Sequence, residues 1–284
     1  MLDKPEGITS NAALTRAKRV LGIRKAGHTG TLDPMATGLL PLCFGEATKV
    51  SAFLLDATKT YLAGVRLGVE TDSGDREGRV IAEASVPPLT VVELETELDA
   101  FRGEIDQVPP MHSALKHQGR RLHELARQGI EVERKPRRVR IESLHLLRFE
   151  SPELTLRLTC SKGTYVRSLA IDLGRALGCG AHLIALRRER SGPFSISDAV
   201  TLESLQGMDA DTARALLLPP DHALGHLQSL ELAGSWIDDI RHGRAVQGLD
   251  VAAGQVRIYG GGRFLGIGDV DAHGTLRVKR GFAA

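Results

Sequence analysis

The chain has 284 residues, 42% of them hydrophobic and 25% charged, with a formal net charge of +2. That is ordinary for a globular protein, without repeats or low-complexity segments, and long enough for one large and one small domain. No apolar run approaches the ~18 residues of a membrane span, the N-terminus lacks a signal-peptide core, and three cysteines argue against a disulfide framework and fit a reducing cytoplasm.

In chain order, Thr9-Ser10 precede an amphipathic helix over Asn11–Leu21 that Gly22 closes, with Ala13, Ala17 and Val20 on one face. Next comes Gly27-His28-Thr29-Gly30-Thr31-Leu32-Asp33-Pro34-Met35-Ala36-Thr37-Gly38. Its glycines and proline around one carboxylate describe a tight loop with an approachable backbone. Pro34 fixes its own φ and pushes Asp33 towards an extended conformation. An acid held rigidly near a histidine suits nucleophilic or acid–base chemistry. An Asx-type turn, with Asp33 bonded only to its own backbone, fits these residues as well.

Tyr61, Ala63, Val65, Leu67 and Val69 alternate as in a half-buried strand, which runs into a polar turn at Thr71–Gly78. Thr90 and Glu93 form a capping box for a helix to Phe101, stopped by Gly103. Pro109-Pro110 breaks the chain, and Arg121–Gln128 reads as a short basic helix. Leu154, Leu156, Leu158 and Cys160 alternate with polar residues, so a strand delivers the chain into Ser161-Lys162-Gly163-Thr164-Tyr165, and a helix from about Arg167 to Leu177 follows. Pro219-Pro220 marks a boundary. Beyond it lie a helical stretch at Ser235–His242 and short strands at Gln255–Tyr259, Phe264–Asp269 and Thr275–Lys279. Hairpin-like strand pairs with interspersed helices and no regular βαβ repeat make the fold class α+β.

The modest net charge hides an uneven distribution. Residues 116–140 carry nine Lys or Arg, among them Arg120, Arg121, Arg127, Arg137 and Arg138, against three Glu, whereas residues 66–106 carry eleven acids against four bases. A basic segment set off from an acidic one is either a phosphate-binding face or a solvated helix with a basic loop. No phosphate-cradling G-x-x-x-x-G-K-[ST] loop and no dinucleotide G-x-G-x-x-G follows a strand. Cys179-Gly180-Ala181-His182, with Cys43 and Cys160, lacks the paired spacing of a zinc site, so no metal is expected.

Four segments in order resemble the TruB-type tRNA pseudouridine synthases: Asp3-Lys4-Pro5-Glu6-Gly7-Ile8-Thr9-Ser10, the run from His28 to Gly38, Lys59-Thr60-Tyr61, and Cys160-Ser161-Lys162-Gly163-Thr164-Tyr165-Val166-Arg167. The resemblance implies a pseudouridine synthase fold, with a mixed, mainly antiparallel central sheet and flanking helices. It also implies a catalytic domain over 1–222 with a basic insertion at about 103–140, and a PUA-like RNA-binding domain over 223–284. The implied activity is cofactor-free isomerisation of uridine 55 in the tRNA T-loop, in the cytoplasm that the cysteine usage fits; a single active site and no obvious coiled coil make a monomer the expectation. It breaks the glycosidic bond, turns the uracil and rejoins it through C5, with the base flipped out. Asp33 is then the catalytic carboxylate, Arg167 the cation that pairs with it, and Tyr61 the ring that stacks on the base or relays the C5 proton.

By the same resemblance Asp75, with Asp72 as a near competitor, holds Arg167 from the other side. Tyr165 and Leu186 pack the base pocket, and Lys4 lines it or a nearby phosphate. His28 wedges into the T-loop where the base leaves; a general acid or a structural histidine is the alternative. Arg120, Arg121, Arg137 and Arg138 are the expected backbone contacts. Thr60 departs from a family position that often holds Arg. Three readings compete with the tRNA isomerase: an RNA chaperone whose active site is incidental, a hydrolase that uses Asp33 and His28, and a related rRNA or guide-dependent synthase.

Overall fold

The computed structural model describes residues 1–113, 115–126 and 128–282; Arg127, counted above in the basic segment, lies outside them. Contacts divide the chain into two units. Met1–Ala13, Gly30–Pro41 and Asp56–Ser204 form the first, and Leu14–Thr29, Leu42–Leu55 and Leu205–Ala284 the second. That partition is discontinuous in sequence.

Among the described residues the first unit carries a nine-stranded sheet. Its strands are β1 (Leu2–Lys4), β2 (Thr37–Leu40), β3 (Lys59–Leu67), β4 (Gly103–Gln107), β5 (Arg137–Glu150), β6 (Glu153–Cys160), β7 (Ala181–Ser191), β8 (Phe194–Ser195) and β9 (Val200–Thr201). The order is β9-β1-β2-β7-β3-β6-β5-β4, with β8 paired to β7. Only β9 on β1 and β2 on β7 are parallel. The expected α+β class with a mixed, mainly antiparallel sheet is what forms. Strand β6 follows its alternation: Leu154, Leu156, Leu158 and Cys160 are buried with Ala63, Val65 and Leu67 of β3 in one core.

Helix α1 (Ser10–Leu21) ends at Gly22, whose φ of +68° suits glycine. Helix α2 (Val91–Asp99) begins with both hydrogen bonds of the Thr90–Glu93 capping box. It stops short of Phe101 because the Phe101 and Arg102 N–H groups bond three residues back, to Leu98 and Asp99, which tightens the last turn. Helix α3 (Val166–Ala176) buries Leu169, Ala170 and Leu173 in the core. No helix among the described residues is long and apolar enough to cross a membrane.

The second unit contains a four-stranded sheet of Gln228–Leu232, Gly254–Gly260, Arg263–Val270 and Leu276–Gly281, with a helix at Ser235–Arg241. Three of these strands are the ones predicted. Gln228–Leu232 was not, and its parallel partner Gly254–Gly260 is remote in sequence. Leu230, Leu232, Val256, Ile258 and Ile267 are all buried.

Candidate active site

The loop Gly30–Ala36 is tied down along its length within the first unit. Ser10 Oγ, at the start of α1, accepts from the Leu32 N–H at 2.8 Å and lies 3.0 Å from the Leu32 carbonyl, to which it donates. The Gly7 N–H donates to the Pro34 carbonyl at 2.9 Å, and the turn closes from the Ala36 N–H to the Asp33 carbonyl at 3.1 Å. Lys4, 0% exposed, donates through Nζ to the carbonyls of Ile8 (2.7 Å), Pro5 (2.8 Å) and Pro34 (3.3 Å). The chain leaves through Gly38, at φ +99°, where a Cβ would stand 2.4 Å from the Arg188 carbonyl oxygen, so only glycine lets β2 lie this close to β7.

Held in this way, Asp33 turns its carboxylate outward to Arg167, with Oδ2 3.0 Å from Nη2. That contact distinguishes it from an Asx turn. Arg167, the second residue of α3, is almost wholly buried, and each of its terminal nitrogens is shared between a carboxylate and a carbonyl. Nη1 lies 3.5 Å from Asp75 Oδ2 and donates to the Ser73 carbonyl at 3.1 Å; Nη2 donates to the His112 carbonyl at 2.8 Å. Asp75 is itself held by Ser73 Oγ at 2.6 Å and the Glu77 N–H at 3.1 Å. Asp72 goes elsewhere, to Arg79 Nε at 3.1 Å. Burial raises the pKa of Asp33; the Arg167 guanidinium opposes that, and Asp75 adds to it. A third of the Asp33 side chain stays accessible, so the carboxylate is crowded on the protein side and open on the other.

Antiparallel register brings the remaining groups alongside. In β7, Leu186 stands opposite Ala63 and Arg188 opposite Tyr61 of β3, so the period of two puts Leu186 and Arg188 on one face with Tyr61. Burial pushes the Tyr61 phenol up, while the Arg188 guanidinium pulls it down. Tyr165 caps α3, its N–H and carbonyl both held by the Gln107 side-chain amide at 3.0 and 3.2 Å. Burial raises the Tyr165 phenol; the neighbouring Ser113 side chain and the charges of Arg137 and Arg167 oppose that.

The arrangement offers one carboxylate, one buried cation locked to it, and a phenol. Residues 18–166 match the TruB family pseudouridylate synthase N-terminal domain, 167–225 the tRNA pseudouridylate synthase B C-terminal domain, and 229–282 the pseudouridine synthase II TruB C-terminal domain. The chain belongs to the TruB family of pseudouridine synthases. It is 57% identical over 280 residues to a tRNA pseudouridine synthase B of Aromatoleum aromaticum, covering 99% of this chain and 91% of that one. It is 52% identical to the Chromohalobacter salexigens protein of the same description, over 99% and 92%. Among solved structures it resembles a Cbf5–Nop10–Gar1 complex, with a TM-score of 0.75, 28% identity, and 99% of this chain and 84% of that chain covered. An H/ACA RNP bound to a substrate RNA containing 2′-deoxyuridine gives a TM-score of 0.74 at 27% identity, over 100% and 84%. As a TruB-family pseudouridine synthase the protein is an isomerase.

Within this TruB chain Asp33, Asp75 and Arg167 form one contiguous network, and Tyr61 and Leu186 share a sheet face. Lys4 sits under the loop instead of facing outward. His28 lies on a short strand, Ala26–His28, paired with Leu42–Phe44 in the second unit. Of the basic residues, Arg120 donates to Gln128 Oε1 at 2.6 Å, and the Arg121 N–H donates to Glu124 at 3.3 Å. Arg138 stands 3.7 Å from Glu104 and 3.9 Å from Asp106 of β4. Arg188 and Gln107 escaped the sequence reading. Arg188 sits in a run of arginines with the look of an exposed edge, and only its place opposite Tyr61 reveals it.

Proposed function

We propose that this protein isomerises uridine 55 in the T-loop of tRNA to pseudouridine without a cofactor, flipping the base out to reach it. The observation that carries this reading is the Asp33–Arg167–Asp75 network, built from two separate motifs onto one open carboxylate. Asp33 acts at the sugar–base junction, and Arg167 keeps it ionised against burial. Tyr61, on the Leu186 face, stacks on the freed uracil and relays the proton from C5. Tyr165 walls the base pocket. Lys4, with its ammonium spent on three carbonyls, serves by holding the loop. His28 is the wedge that replaces the departed base, and Arg120, Arg121, Arg137 and Arg138 meet phosphates. The C-terminal module from about residue 223 adds an RNA-binding surface. The 57% identity to the Aromatoleum aromaticum tRNA pseudouridine synthase B, against 28% to a chain of the Cbf5–Nop10–Gar1 complex, supports a standalone tRNA enzyme over a guide-dependent one.

The deciding measurement is tritium release from an unmodified tRNA transcript labelled at C5 of uridine, with wild type and Asp33→Asn and no added cofactor. The expected outcome is one release per tRNA from wild type and none from Asp33→Asn, which keeps its RNA affinity. Release that persists in Asp33→Asn overturns the mechanism. Absence of release from wild type with intact RNA binding moves the function to a chaperone or to another RNA target.

A further inference from the structure

Arg188 is the largest fully buried side chain among the described residues, at 1% exposure. A buried guanidinium ordinarily sits against a carboxylate, as Arg167 does. Arg188 instead uses neutral oxygens: Nε donates to the Leu39 carbonyl at 2.7 Å and Nη2 to the Gly30 carbonyl at 3.0 Å. Across the register pair Arg188–Tyr61 the same guanidinium lies close enough to pull the Tyr61 phenol down against burial. Its carbonyl partners flank the Asp33 loop, Gly30 at its entrance and Leu39 one residue past Gly38. One planar fork therefore joins both ends of the loop, opposite the phenol in register.

We infer that Arg188 is a positioning residue that fixes the Tyr61 hydroxyl for the proton-transfer step at C5 and couples its placement to the Asp33 loop. The inference rests on the proposed relay role of Tyr61. Guanidinium nitrogens only donate, so the remaining Arg188 N–H, turned to the phenol, takes up one lone pair of the Tyr61 oxygen. The hydroxyl proton must then point away from β7, and the second lone pair is left for an incoming proton. Once C5 is joined to C1′, the C5 proton passes to that lone pair and the hydroxyl's own proton leaves to the open side of the site. The C5–H electron pair restores the C5=C6 double bond, and N1 takes up a proton. No oxidant, reductant or co-reactant beyond water is needed. The groups facing Tyr61 are Arg188 on β7, Cys160 on β6 and Asp33 on the loop, and Lys59 on β3 also feels the Arg188 charge. A carboxylate partner on Arg188 would cancel the positive field at the phenol oxygen; two carbonyls leave it intact.

The test uses full-length protein and a tRNA transcript carrying either protium or deuterium at C5 of uridine. In Arg188→Gln, kcat falls roughly 10- to 100-fold with KM within about twofold, since a general acid–base group loses one of its supports. The deuterium isotope effect on kcat rises above the wild-type value, because C5 proton transfer now limits turnover. Arg188→Lys falls between, since a single ammonium cannot span all three oxygens; should Arg188→Gln fail to fold, it alone decides. Removing Arg188 in a Tyr61→Phe background costs little more than Tyr61→Phe itself. An unchanged isotope effect, or rate losses that multiply independently, overturns the Arg188 inference. If Tyr61→Phe alone shows no rate loss and no isotope effect, the relay reading of Tyr61 has failed, a result distinguishable from failure at Arg188.

Discussion

Asp33 lies between opposing influences: burial and Asp75 raise its pKa above the ordinary 3.8, and Arg167 lowers it. Chemistry that needs the carboxylate ionised is lost as pH falls through that raised value. Arg167→Lys, which cannot hold two carboxylates and two carbonyls with one ammonium, weakens the opposing pull and moves the acid limb of kcat/KM to higher pH. Asp75→Asn removes a like charge and moves it lower. Profiles from about pH 4 to 8 on labelled transcript check this, and shifts of the same sign would refute it. Lys4 tests stability instead. Burial lowers its pKa from 10.5 to about 8 although Asp33, Glu77 and Glu6 pull it up. With the folded value below the unfolded one, the native state binds fewer protons between these limits. Wild type therefore gains on Lys4→Met as pH rises from about 8 to 10.5, by on the order of 2–4 kcal/mol, and the difference is flat below that window. Urea midpoints across the range measure it. At this scale Asp33, Tyr61 and Arg167 were legible because each stands in a motif of distinctive neighbours. Arg188 was not, because burial of a charge shows only when its oxygen partners, Leu39 149 residues away among them, are in place.

Elements whose signals are local came through well: the capping box of α2, the alternation of β6, and the glycine that stops α1. What the chain order hides is how the stretch after β4 is fastened to α3. The Gln107 amide grips Tyr165 across 58 residues, Ser168 Oγ donates to the Val108 carbonyl at 2.9 Å, and Arg167 reaches the His112 carbonyl at 2.8 Å. The start of the basic insertion is therefore part of the frame that aims Arg167 at Asp33. Gln107→Leu keeps the volume but leaves the Tyr165 N–H without its partner, while the Tyr165 carbonyl keeps the Leu169 N–H, a loss of about 1–3 kcal/mol in denaturant unfolding. Single-turnover tritium release should fall while RNA affinity stays near wild type. A variant that loses affinity and keeps its rate would place Gln107 in RNA binding instead.

Over the whole molecule, charge separated in sequence is not separated in space. The acidic stretch before residue 107 and the basic stretch after 116 meet as neighbouring strands, with Asp106 opposite Arg138 and Glu104 opposite Arg140. A count of nine bases against three acids in 116–140 therefore overstates the field that an RNA meets. Arg138 stands within 4 Å of both acids, whereas Arg137 pairs in register with neutral Gln107 and lies close enough to influence the Tyr165 phenol. Removing one cation that neutralises a phosphate reduces the slope of log K against log salt by about 0.7–0.9. Arg137→Ala should show close to that full change. Arg138→Ala should show clearly less, because its charge is already partly matched, and Glu104→Gln should tighten binding by releasing Arg138. Titrations of a tRNA transcript at several salt concentrations decide between the two arginines. An equal or larger slope change for Arg138→Ala would mean that RNA displaces Glu104 and Asp106, making the edge strand β4 the element that yields when substrate arrives.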